Sequence, residues 1–201
     1  MSSISHSLPV VDTTLIQTLD EHKDQLFCEL MNSIKKKKDR KFVDLVSQVT
    51  DLNKQDNLGN TALHTAIKVG FYTAAESLIY KGTDLNVAND VGETSLEMAV
   101  KKILVKEFQE ITYLNKLDEI QKIIRVLYDY KSGSSKKKIE SNLVNITKLD
   151  LLKEVVNLLL RRGAEVKDEL IDFCFSWIRL HCSFSTDDFI KNLKNQLQIY
   201  K

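Results

Sequence analysis

An excess of positive or negative charge is missing from this chain: 29 lysines and arginines stand against 28 aspartates and glutamates, for a net charge of +1. No global field draws it to nucleic acid or to a membrane surface, so any charge-driven contact must be local. Apolar residues fill 43% of the 201 positions, yet they never run for the roughly 18 residues that a membrane span needs. Residues 1–20 have neither the basic start nor the apolar block of a signal peptide, which argues against classical secretion. Proline occurs once, at Pro9, in a serine-rich lead over 1–11 that reads as disordered. Cysteine is scarce and odd in number: Cys28, Cys174 and Cys182 stand at no metal-ligand spacing, in segments that read as apolar helix faces. They are expected to be reduced core thiols of a cytosolic protein. The chain also lacks a phosphate loop, a metal-ligand set and an assembled triad, so no cofactor, no metal and no catalytic residue is expected.

What is present is repetition. Shifted against itself by 33 positions, the sequence lays Thr50, Asp51, Leu52 and Asn53 on Thr83, Asp84, Leu85 and Asn86, and Gly59, Thr61, Leu63 and Ala66 on Gly92, Thr94, Leu96 and Ala99. A fixed period of this length marks a repeat architecture. Within the unit, Leu63, Ala66 and Ile67 share a helical face, Gly70 interrupts, Ala74, Ala75, Leu78 and Ile79 form a second face, and Gly82 ends it. The pattern predicts two short antiparallel helices followed by an extended finger.

Asp56, Gly59, Thr61, Leu63, His64, Ala66, Gly70, Leu78, Ile79 and Gly82 resemble the ankyrin repeat, with its D-x-x-G-x-T-P-L-H-x-A-A-x-x-G-H and V-x-x-L-L-x-x-G-A segments. The departures are mild: Ala62, Ile67, Phe71, Ala75 and Thr83 replace family residues. The resemblance implies an all-α solenoid of about four to five helix pairs, in one domain over 12–200, because a single unit cannot bury its own apolar face.

Taken in order, Leu15, Leu19, His22, Leu26, Leu30 and Ile34 recur at helical spacing and predict a long helix from Thr13 or Thr14 to about Lys36. Its end merges into a degenerate repeat, in which Leu30, Ser33, Ile34, Leu45 and Val46 take the places of Leu63, Ala66, Ile67, Leu78 and Ile79; this leading region spans 12–55. Repeats follow at 56–88 and 89–131, the latter elongated, with a turn expected at Leu114–Leu117 and a partner helix carrying Ile120, Ile123, Ile124 and Leu127. After the loop at Lys131–Lys138, a short helix near Leu143 and Ile146 and the ending Val156, Leu159, Leu160, Gly163 and Ala164 read as a repeat over 134–166. A helical cap over 167–200 completes the chain, with Phe173, Phe175, Trp177 and Phe184 suited to closing a stack and Ser185 or Thr186 placed to cap its last helix.

The resemblance implies a protein-binding module without catalysis; its oligomeric state is left open with a monomer favoured, and no nucleic acid is expected because neither lysine patch has interleaved aromatics to stack on bases. Its groove would be lined by Asn57, Leu58, Asn60, Thr65, Lys68 and Val69 in one unit and by Asp90, Val91, Glu93, Met98, Lys101 and Lys102 in the next. Leu58 and Val91 are fingertip aliphatics, either anchors for a partner or a pair that packs together. His64, in the family's T-x-L-H position, is expected to brace a turn. Lys35, Lys36, Lys37, Lys38, Arg40 and Lys41 fit a short nuclear-import signal read in extended form, or else a solvated helix end. Cys174, His181 and Cys182, with Asp187 and Asp188, supply the residue types of a thiol enzyme but not its spacing. Abundant lysine, asparagine and isoleucine, and the polar C-terminal stretch 185–201, look like the ankyrin effectors that intracellular bacteria deliver into host cells by type IV secretion. A host protein would then be the partner. An ordinary cytosolic or nuclear adaptor is the alternative.

Overall fold

The computed structural model describes residues 13–110, 113–132, 148–181 and 191. The expected disordered lead, the rest of the lysine loop, the short helix near Leu143 and Ile146, Cys182, Phe184 and the cap's last helix lie outside the described residues. Among those described there are eight helices: α1 (Thr13–Lys35), α2 (Asp39–Val46), α3 (Ala62–Val69), α4 (Tyr72–Tyr80), α5 (Ser95–Glu110), α6 (Tyr113–Lys131), α7 (Lys148–Arg161) and α8 (Asp168–His181). The β-pairing among the described residues amounts to one isolated antiparallel bridge, Ala88 with Thr94.

The central pair shows why these residues fold as they do. Thr61 is extended, with φ −76° and ψ 172°, and its hydroxyl accepts the His64 amide while the His64 ring accepts the Thr61 amide, so α3 starts with two of its free donors satisfied. Gly70 ends it in the left-handed region at φ +72°, where the amides of Gly70 and Phe71 close onto the carbonyls of Ile67 and Ala66. Leu63, Ala66 and Ile67 meet Ala74, Ala75, Leu78 and Ile79 in the core.

The same plan precedes this pair with poorer residues. Ser33 stands where the next repeat has Ala66; it is buried, and its hydroxyl donates to the Leu30 carbonyl at 2.7 Å. Lys37 stands where the next repeat has Gly70 and takes the same turn at φ +50°, the one non-glycine among the described residues with positive φ. Phe42 and Phe71 lock the two repeats edge to face, with ring centroids 5.6 Å apart.

Two expectations about α1 fail for one reason. Leu19, read as part of a buried stripe, is 58% exposed, and His22 and Cys28 are exposed too. Cys28 is therefore not a core thiol. A helix of 23 residues extends about 35 Å, whereas α2 and α3, with 8 residues each, cover about 12 Å. Burial consequently begins near Leu26 and Phe27.

The third pair corrects the division into repeats at 89–131 and 134–166. The helix that lies against both α5 and α4, as a repeat's second helix should, is α7 and not α6; α6 packs on α5 and α8. Backbone geometry agrees. The Asp84 amide donates to the Asn53 side chain at 2.8 Å, and one period on it is the Glu165 amide, beyond α7, that donates to Asn86 at 2.8 Å. Repeat three is thus α5 with α7, and α6 belongs to an insertion between its two halves. The turn expected at Leu114–Leu117 lies inside α6. The helices form two rows: α1, α3 and α5 within, and α2, α4 and α7 without. Beyond α5, α8 buries Cys174, Phe175, Trp177 and Ile178, and Lys131 at the end of α6 pairs with Asp168 at its start.

Candidate functional site

Each finger is built on an acidic or amide side chain that folds the backbone over itself. The Asp56 carboxylate accepts the amides of Leu58 at 3.0 Å and Asn60 at 2.9 Å. One repeat on, the Asn89 side-chain oxygen accepts those of Val91 at 3.2 Å and Glu93 at 2.9 Å. The fingers then bond to one another. The Asp90 amide donates to the Leu58 carbonyl at 3.2 Å, and the Gln55 side chain bridges the carbonyls of Gly59 and Ala88 at 2.6 and 2.9 Å. Below them the His64 Nε2 donates to the Glu93 carbonyl at 3.0 Å, so that one ring ties a helix start to the neighbouring finger.

That pair of bonds fixes the ring's protonation. A carbonyl can only accept, so Nε2 carries the hydrogen and Nδ1 is left to accept from Thr61 at 2.8 Å. Burial pushes the His64 pKa below its usual 6.5, against the opposing pull of Glu93 and Asp56, which keeps the neutral form. The ring braces the turn. In the next repeat Glu97 does this work: its carboxylate accepts the Thr94 amide at 2.7 Å while the Thr94 hydroxyl accepts the Glu97 amide at 3.3 Å. The sequence carried a signal for this, since Thr94 and Glu97 stand at capping-box spacing.

The residues assigned to the groove divide into three groups. Asn57, Leu58, Lys68, Asp90 and Val91 are exposed, with Leu58 at 60% and Val91 at 77%. Val69, Glu93, Met98, Lys101 and Lys102 are half-buried. Lys101 bonds to Glu93 at 2.7 Å and lies 4.9 Å from the Phe173 ring centre, and Lys102 donates to the carbonyls of Ile67, at 2.8 Å, and Lys68 at the end of α3. Both lysines serve the stack. Asn60 and Thr65 are buried and do not line a groove: Asn60 accepts from the Asn89 side chain at 3.2 Å, and Thr65 is covered because α3 lies between α1 and α5.

The basic run is exposed but not extended, contrary to the form expected of an import signal. Lys35 closes α1, Lys36 and Lys37 form the turn, and Arg40 and Lys41 belong to α2. Lys41 bonds Glu29 at 2.9 Å and holds that carboxyl below its usual range, first by the hydrogen bond and then by charge. At the other end of the stack, burial pushes the Cys174 thiol up to about 12, so that it stays protonated and unreactive at neutral pH. His181 ends α8, while Cys182, Asp187 and Asp188 lie outside the described residues.

Stacked helix pairs joined by bonded fingers define a class: solenoid repeat proteins that present one continuous recognition face. Residues 30–116 match the family model for ankyrin repeats, in three copies, so that this stretch is similar to repeats that serve as protein–protein interaction modules. No curated protein matches the chain. No helix of the described residues is long and apolar enough to cross a membrane.

Proposed function

We propose that this chain is a non-catalytic binding module that seats a protein partner on its concave face, with Leu58 and Val91 as the apolar anchors. The observation that carries this is the pair of exposed aliphatic side chains at equivalent fingertips, on backbone already fixed by bonds within and between the fingers. A surface ordered before binding loses little conformational entropy on contact, and neighbouring apolar side chains in such a place suit a partner's hot spot. Asn57 and Asp90 adjoin them in the fingers, and Lys68 and Val69 lie at the other end of α3. The non-catalytic reading is supported by the Cys174 thiol, which cannot act as a nucleophile near neutrality.

Affinity capture with the wild-type chain and with Leu58→Asp/Val91→Asp tests it. Because both side chains are exposed, the double variant should keep its stability within about 0.5 kcal/mol per site. It should lose the partner; a partner kept equally by both proteins refutes the fingertips as anchors.

The partner we assign is a host protein, with the chain acting as an effector delivered by an intracellular bacterium. Its lysine-rich composition and the polar stretch 185–201 support that reading. Fusing the chain to a translocation reporter, with and without 185–201, tests it: delivery independent of that stretch removes the secretion signal. A second reading, a nuclear regulator of the organism itself, is supported by the exposure of the basic run and not by its folded form. A fluorescent fusion that stays cytoplasmic would sink it.

A further inference from the structure

We propose that the concave face takes an extended acidic segment of a protein, whose carboxylates lie over lysines at the C-terminal ends of the inner helices while an apolar side chain seats on Leu58 and Val91. This rests on the concave-face reading above and gives that partner a chemistry.

The lysines repeat with the fold. At the period of 33, Lys35, Lys68 and Lys101 fall on one another, in the last turns of α1 and α3 and at the matching turn of α5. These places adjoin in space, because α3 packs against α1 on one side and α5 on the other, and because Lys102 reaches from α5 to the terminal carbonyls of α3. Part of this positive edge is spent internally, on Glu93, Phe173 and the end of α3. The rest is not. Lys35, Lys36, Lys38 and Lys68 are exposed, and among the described residues no carboxylate pairs with them.

Helix dipoles do not account for so much charge. A helix C-terminus carries about half an elementary charge, so one lysine over-compensates it, and here the end of α1 alone is followed by several. The chain as a whole has a net charge of +1, so this edge is a local excess able to steer an anionic partner.

Geometry sets the spacing of the partner's groups. The fingertips stand at the start of α3 and the lysines at its end, and its 8 residues extend about 12 Å. An extended chain covers that length in about four residues, so the carboxylates should follow the apolar side chain by about that number. Nucleic acid fits the edge poorly, because Phe42, Phe71 and Tyr72 beside it are buried and offer no base-stacking surface. A lipid surface fits poorly too. Of the apolar residues of α2, Phe42, Leu45 and Val46 face the core and Val43 alone is left to insert.

Fluorescence anisotropy with a labelled synthetic peptide carrying a Leu-Leu pair about four residues ahead of a glutamate run tests the proposal. The intact chain should bind it, about tenfold more weakly when the glutamates are replaced by glutamine, and more weakly as salt rises toward about 1 M. Lys35→Glu/Lys36→Glu/Lys68→Glu should reduce affinity about tenfold or more, the milder Lys→Gln set should do so less, and Lys81→Glu on the outer row should leave it within about twofold. Equal binding of the glutamate and glutamine peptides, no binding of either, or indifference to the three lysines would overturn it. Tighter lysine-dependent binding of phosphatidylserine vesicles or of a single-stranded RNA oligonucleotide would overturn it as well. The two readings fail separately. A partner lost with Leu58→Asp/Val91→Asp but kept by the lysine variants leaves the concave face standing without its acidic segment.

Discussion

Two glycines hold the same position one repeat apart and should tolerate substitution very differently. Gly59 and Gly92 both lie in the left-handed region, at φ +70° and +80°. A Cβ on Gly59 would stand 2.5 Å from the backbone nitrogen of Asp90, in the next finger, which donates back to the Leu58 carbonyl, whereas one on Gly92 meets nothing within 4 Å among the described residues. Gly92→Ala should therefore cost only the backbone term, about 1 kcal/mol. Gly59→Ala should cost at least about 3 kcal/mol, because backbone must move as well. Urea denaturation measures both, and equal losses would show that the fingers are not in contact. Lys37 presents the reverse case: at φ +50° it holds a turn that glycine holds one repeat later, so Lys37→Gly should raise stability by about 0.5–1 kcal/mol. A midpoint that falls instead would mean that the side chain contributes more than the strain. At this scale the fingertips were legible and the groove's lining only partly so. Leu58 and Val91 have positions fixed by the repeat, while the burial of Asn60 and Thr65 depends on neighbours that one repeat's pattern does not contain.

The start of α3 is the element whose stability should follow pH. His64 folds as the neutral Nε2–H form with its pKa depressed by burial, so the unfolded chain takes up the proton first as pH falls. The stabilisation is fully present above about pH 6.5, the ordinary histidine value, and is lost as pH falls through the lower folded-state pKa. Glu76 works the other way: burial first, and then the charge of Glu154, raise its pKa above the ordinary value, so protonation there favours the fold. Comparing unfolding midpoints between about pH 7.5 and 5.5 for wild type and His64→Gln isolates the ring. The variant should be weaker at pH 7.5 and its curve flatter; parallel curves would take His64 out of the pH response. The capping pairs were readable from residue types, because Thr61 with His64 and Thr94 with Glu97 keep one spacing. The length of α1 that the repeat covers was not. Periodicity shows that Leu19 lies on the face of Leu26 and Leu30, but not that α2 and α3 end before reaching it.

For the molecule as a whole, what escaped the sequence was partnership between helices. An apolar stripe says that a helix has a face to bury and is silent on what covers it, and α6, with Ile124 and Leu127 fully buried, has such a stripe as α7 does. Reading neighbours in chain order paired α5 with α6. The clue was the finishing Gly163 and Ala164, which belong to the end of a repeat whose first half lies far upstream.

That split third repeat bears on the order in which the chain is made. An ordinary solenoid can add each unit as it leaves the ribosome, since every unit is contiguous. Here α5 finds its partner only after residues 111–147 have been translated, and at about 5–20 residues per second this stretch occupies about 2–7 s. Through that interval the flank of α4 that α7 will cover is open to chaperones and to other nascent chains. A chain stopped at residue 132 should accordingly bind a hydrophobic dye more strongly than the full chain, although both of its leading repeats are complete. Dye binding no greater than that of the full chain would mean that something other than α7 shields that flank during synthesis.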